Sequence, residues 1–153
     1  MRLRHTLVAL AVATFSVVGM SAVASAAPLT KQSFTLTQDI NGVGGTVVAS
    51  GAINATGQDV VVSDTEDQFV FPDGTLTVIH VPVRSKDHFN DRKCTGKFRE
   101  TGTYIISAGT DAYAGITGSG DYTAVGSIAN GCVGTPTGSV TITASGSINL
   151  PTS

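Results

Sequence analysis

The stretch Ser139-Val140-Thr141-Ile142-Thr143-Ala144-Ser145-Gly146-Ser147-Ile148-Asn149-Leu150 decides the fold. Val140, Ile142, Ala144, Gly146, Ile148 and Leu150 fall on one face. Ser139, Thr141, Thr143, Ser145, Ser147 and Asn149 fall on the other. A period of two, apolar against hydroxyl, is the mark of a β-strand with one face on a core and one in water. Ser33-Phe34-Thr35-Leu36-Thr37 repeats the pattern near the other end of the chain.

Between these two stretches no apolar period of 3.6 persists over three turns. The composition runs to Gly, Thr, Ser and Val, which favours strands and turns over helices. Further strands are expected near residues 46–54, 57–62, 68–71, 75–83, 97–107 and 113–124. Pro72-Asp73-Gly74 supplies the turn chemistry of a hairpin, and Asn41-Gly42 and Gly44-Gly45 break the chain. Residues 84–95 carry no period and read as a long polar loop. Residues 129–136 read as a second loop, rich in Gly. About eight antiparallel strands in one domain suit a closed β-barrel, which removes exposed edges. A two-sheet β-sandwich is the alternative, and periodicity does not separate the two.

The N-terminus assigns the compartment. Met1-Arg2-Leu3-Arg4-His5 is basic, Thr6 through Met20 is uncharged and largely apolar, and Ser21 through Ala26 is small throughout. Ala24-Ser25-Ala26 has the small-x-small form that signal peptidase accepts, so residues 1–26 are read as a signal peptide and 27–153 as the mature domain. The expected protein is secreted and extracellular, with no membrane span after processing. Of 9 basic and 11 acidic residues in the whole chain, Arg2 and Arg4 leave with the signal, so the mature chain is acidic. That balance argues against a general nucleic-acid binder. Six of the remaining basic residues lie between Arg84 and Arg99, and read as charge on an exposed loop. Cys94 and Cys132 are the two cysteines, and in an exported chain they are expected to form one disulfide. Closing a loop of roughly 40 residues is worth roughly 4 kcal/mol on the chain-entropy model.

Gly102-Thr103-Tyr104-Ile105-Ile106 leads into Gly109-Thr110-Asp111-Ala112-Tyr113-Ala114-Gly115-Ile116-Thr117-Gly118-Ser119-Gly120-Asp121-Tyr122. This resembles the GTGxYxGAxGxG-type segment of allene oxide cyclase-like and dirigent-like barrels. It is most similar to their small secreted actinobacterial members, which also carry a phrase like Phe71-Pro72-Asp73-Gly74-Thr75-Leu76-Thr77-Val78. The resemblance covers roughly residues 68–122, under half of the mature chain. It implies an eight-stranded barrel with an apolar interior. The relatives have Gly where this chain has Ala108 and Asp111; Asp tolerates a left-handed turn position, so Asp111 is expected to keep the turn. The plant cyclases isomerise a fatty-acid epoxide and dirigent proteins guide radical coupling. The acidic groups they use match no position here, so the resemblance carries a fold and no activity.

Two ionisable residues share faces with apolar ones. Leu76, Val78 and His80 alternate on one strand, as do Glu100, Tyr104 and Ile106 on another. If both faces look inward, Leu76, Val78, Tyr104 and Ile106 line the interior as ligand-binding candidates. Glu100 and His80 then become catalytic candidates at the mouth, where burial disfavours a carboxylate's charge. Asp87, His88 and Asp91 form a loose D-H-x-x-D cluster, but Arg84, Lys86, Arg92 and Lys93 surround it and repel a cation, so no metal site is expected. No nucleophile elbow, phosphate-binding Gly loop or cofactor motif is present. Asn54-Ala55-Thr56 fits the N-glycosylation pattern and is read as accidental. The absence of Trp argues against a sugar-stacking platform. The expected protein is therefore a secreted barrel that is structural or binds a small apolar molecule. The alternative is an allene oxide cyclase-like isomerase or another small-molecule enzyme acting at the barrel mouth.

Overall fold

Eight antiparallel strands close on themselves in a computed structural model that describes residues 29–42 and 44–150. The signal-peptide reading of residues 1–26 lies outside the described residues. The strands are β1 (Thr30–Asp39), β2 (Gly45–Gly51), β3 (Ala55–Ser63), β4 (Glu66–Phe71), β5 (Gly74–Asn90), β6 (Thr95–Gly109), β7 (Thr117–Ala129) and β8 (Thr137–Asn149). Each pairs with its sequence neighbours, and β1 pairs with β8 to close an up-and-down barrel. The sandwich alternative is thereby excluded.

The alternating faces place the core. In β8, Val140 and Ile148 are buried, and in β1 Gln32, Phe34 and Leu36 are. The main cluster fills one half of the barrel with Phe34, Leu36, Val47, Phe69, Phe71, Leu76, Val78, Tyr104 and Ile106, among others. A smaller cluster of Tyr122, Ala124 and Val140 lies toward the other end. Ile142 and Ala144 pack against both. The inner face is largely apolar, with Gln32, Asp59 and Asp67 as its buried polar members, and the outer face is rich in Ser and Thr, opposite to the pattern of a lipid-embedded barrel. No helix among the described residues is long and apolar enough to cross a membrane.

One end of the barrel is plugged. The β6–β7 connection makes a short 3-10 turn at Asp111–Tyr113, which buries Tyr113 and Ile116 beneath the strands. Tyr113 meets Phe71 edge-on, with ring centroids 6.0 Å apart. Asp111 holds the left-handed turn conformation expected of it, at φ 51°. This plug delays β7, which begins at Thr117 rather than near Tyr113 as its sequence suggests. At the same end the buried Gln32 is fully engaged. Its amide donates to the carbonyls of Ser50 and Ile53, and its Oε1 accepts the Ile53 N–H at 2.8 Å.

The other end is lopsided, and here the loop expected over residues 84–95 is corrected. β5 continues to Asn90 and β6 begins at Thr95, so only Asp91–Cys94 turns the chain. Val81–Asn90 of β5 run past the β3–β4 turn as an arm, about 30 Å of strand at 3.3 Å per residue. Almost all of that β5 segment is exposed, so it has no apolar alternation to reveal it as a strand. β7 and β8 flank the arm through Ala129 and Thr137. The disulfide Cys94–Cys132 joins the tip of the β5–β6 hairpin to the β7–β8 loop.

Candidate functional site

Polar side chains gather on the inner face where the two apolar clusters meet. Asp67 sits in Asp67-Gln68-Phe69-Val70-Phe71, and strand parity turns it inward with Phe69 and Phe71. His80 follows Leu76 and Val78 inward on β5, as its alternation predicts. His80 pairs directly across the ladder with Tyr104 of β6. Tyr122 of β7 lies opposite Gly102, and a Cβ at Gly102 would collide with the Tyr122 ring. The missing side chain is what lets that ring lie across the strand.

These residues form a connected row. His80 Nε2 lies 3.4 Å from Asp67 Oδ2. The Tyr122 ring meets His80 edge-on at 5.7 Å between centroids. The Tyr122 hydroxyl donates to Glu100 Oε1 at 2.8 Å. Burial, followed by this bond, pushes the Tyr122 hydroxyl's pKa well above its ordinary value. Burial likewise raises the Asp67 carboxyl; His80 pulls it back and Glu66 pushes it up further. Asp59, inward on β3, is lifted to about 7, first by burial and then by the charge of Asp67.

A cavity of about 50 Å³ opens beside this row. Its walls are Phe34, Leu36, Phe69, Val78, Ile142 and Ala144, with Asp67, His80, Tyr104 and Tyr122 as its polar members. A single water needs only about 10–15 Å³, while a cavity of about 150 Å³ takes benzene, so this one admits a functional group rather than a whole ring. Its polar side reaches solvent through His80 and Asp67, whose side chains are 24% and 13% exposed.

Two polar atoms here are buried and unpartnered: Tyr104 Oη and His80 Nδ1. Tyr104 is 3% exposed, and its hydroxyl pKa is raised by burial and then by Asp121. With Nε2 facing Asp67 at 3.4 Å, a neutral His80 that carries its proton on that nitrogen presents Nδ1 as an acceptor. The pair therefore offers one donor and one acceptor, side by side on adjacent strands.

Of the sequence-derived candidates, His80, Val78 and Tyr104 line the cavity. Leu76 and Ile106 face inward but pack into the solid half of the core. Glu100 is not a wall of the cavity; it holds the Tyr122 hydroxyl. Asp59, Asp67 and Tyr122 are not among the sequence-derived site candidates. The signal for Asp67 was present, because the parity of Phe71 and Phe69 extends back to it. Asp59 was masked by Val60, Val61 and Val62, an apolar run that the fold leaves exposed. No three residues among those described are grouped to hold a metal ion. Comparison with protein-family models, with curated proteins and with solved structures finds no match to this chain.

Proposed function

We propose that the protein is a secreted barrel that captures small, largely apolar molecules bearing one hydroxyl group. The observation that carries this reading is the pair of buried, unpartnered atoms, Tyr104 Oη and His80 Nδ1, beside an apolar-walled cavity. A buried polar group without a partner costs roughly 1–3 kcal/mol, so a fold that keeps two of them together favours a ligand that satisfies both. A ligand's oxygen would meet Tyr104 and His80, and the adjoining methylenes would meet Phe34, Phe69 and Val78. The small volume limits the buried part to the functional group, with the rest of the molecule extending toward the mouth. Export rests on the reading of residues 1–26, and the disulfide accords with it. Membership of the allene oxide cyclase-like and dirigent-like barrels is part of the same proposal, supported by the glycine-rich segment and by strand number and order.

A second reading, acid–base catalysis at the same mouth, draws on the Asp67–His80 contact. A carboxylate behind one imidazole nitrogen fixes the tautomer and makes the other nitrogen a better base. Glu100 would then act through Tyr122 as a positioning residue.

The test is a thermal-shift and calorimetric series with 1-hexanol, hexanal and hexane on the mature protein. The alcohol is expected to raise Tm with concentration, the aldehyde, which cannot donate to His80, to raise it less, and the alkane not at all. Tyr104→Phe removes one unpartnered hydroxyl. It is expected to stabilise the ligand-free protein by about 1 kcal/mol while weakening alcohol binding. Equal shifts from all three compounds, or undiminished binding in the variant, would overturn the reading.

A further inference from the structure

A β-bulge sorts the charges of the arm. The β5–β6 register shifts between Pro82 and Arg84, leaving Val83 as the extra residue. Before the bulge, Leu76, Val78 and His80 face inward. After it, Arg84, Lys86 and His88 pair with Thr101, Arg99 and Lys97. Thr101, Thr103 and Ile105 lie on the outer side of β6, with Arg99 and Lys97 continuing that face. The bulge therefore turns Arg84, Lys86 and His88 outward and Asp87 and Phe89 to the opposite side.

The result is a strip of Arg84, Lys86, His88, Lys97 and Arg99 on one face of two neighbouring strands, every one of them exposed. Lys86 and Arg99 are directly opposite, an arrangement that destabilises a sheet. The outward neighbours of Lys97 and Arg99 on β7 are Ser127 and Val125, which carry no charge. Among the described residues no ion pair or hydrogen bond engages the side chains of Arg84, Lys86, Lys97 or Arg99. A surface tuned for solubility intersperses its signs, whereas this one concentrates cations on an acidic protein.

We propose that this strip docks a linear phosphate polyanion. Charge complementarity selects an anion, and two arginine forks flanking Lys86 suit phosphate oxygens. The strip is two strands wide, about 5 Å across, with successive outward side chains about 7 Å apart. That shape suits one flexible chain better than a flat bilayer. The face carries no Phe, Tyr or Trp, since Phe89 lies on the other side opposite Gly96. Without a Phe, Tyr or Trp platform for bases, recognition rests on charge rather than on base stacking.

The experiment uses the disulfide-intact mature protein and long-chain inorganic polyphosphate, titrated across a salt series. Four cations at about 0.7 each predict a log–log salt slope of roughly −3. Arg99→Glu is expected to lower affinity by about tenfold or more and to reduce the slope by about 1 or more. Its Tm should hold or rise, because Lys86 gains an opposite charge. Lys86→Gln provides a milder loss on the same face. Lys31→Glu, at an exposed position of β1, makes the same change in net charge as Arg99→Glu and should leave affinity within about twofold. Equal losses from Lys31→Glu and Arg99→Glu would show a net-charge effect and end the proposal. So would a flat salt response. Preference for phosphatidylglycerol vesicles, or for single-stranded DNA over polyphosphate of equal charge, would reassign the strip to a membrane or to a nucleic acid.

Discussion

Asp59 is 7% exposed, and one of its carboxyl oxygens has no hydrogen-bond partner. Its pKa rises from 3.8 to about 7, burial being the larger cause and Asp67 the smaller. A raised carboxyl pKa means the folded protein holds its proton more tightly than the unfolded chain. Between about pH 4 and pH 7 the folded state therefore binds more protons, and stability falls as pH rises through that window. The full effect has an upper bound of about 4 kcal/mol, since each factor of ten in acidity is worth about 1.4 kcal/mol. Asp67 moves in the same direction, moderated by His80. Denaturant titration is expected to find the protein more stable at pH 5 than at pH 8. Asp59→Asn should flatten that difference and stabilise the protein at pH 8. An unchanged profile in the variant would mean that Asp59 is ionised and well solvated in the fold.

At the scale of the strand, parity does most of the positioning. Ile106 is 3% exposed and Ile105 is 49% exposed, although they are adjacent and chemically identical. Ile106→Asp is expected to unfold the domain, because an unpaired buried charge costs as much as a typical stability of about 5–15 kcal/mol. Ile105→Asp should cost about 1 kcal/mol or less. Circular dichroism and a denaturant titration of both variants check this, and equal tolerance would reverse the inward face of β6. Parity also explains what could be read from the chain. Leu76, Val78, His80, Tyr104 and Ile106 were legible because each strand alternates cleanly where it borders a filled core. The β5 half of the arm was not, because it runs beyond that core and its side chains answer to solvent. The 3-10 plug was equally hidden: Tyr113 and Ile116 bury themselves from a connection, where spacing follows no strand period. In the site itself, neither half of the Asp67–His80 pair marks the other, since the contact exists only once β4 and β5 lie side by side.

On the scale of the molecule, the arm needs a fastening. Strands β3 and β4 turn at Asp64–Thr65, whereas β5 and β6 continue past that turn with β7, itself paired to β8, beside them. The inner side of this extension is supported by Phe98, which packs against the smaller core cluster; a Cβ at Gly126 would strike its ring. Farther out, the disulfide takes over, with Cys94 and Cys132 at a Cα separation of 5.2 Å and a Gly131 N–H bond to the Cys94 carbonyl beside it. Two effects follow from removing the bond, and they can be separated. Freeing a loop that spans a sequence separation of 38 relaxes the unfolded chain, which should lower global stability by about 2–4 kcal/mol. Unfastening the tip should also let the arm open without the barrel. In Cys94→Ala/Cys132→Ala, hydrogen exchange is expected to accelerate at Lys86–Asn90 and Gly96–Arg99 beyond the change at Leu76–Val78. Uniform acceleration would assign the whole effect to the unfolded chain and leave the arm rigid on its own. Acceleration confined to the arm, with global stability unchanged, would assign it to the fastening alone. The expected result is both, because the same bond that shortens the unfolded chain also ties down the outer ends of two hairpins that the core does not reach.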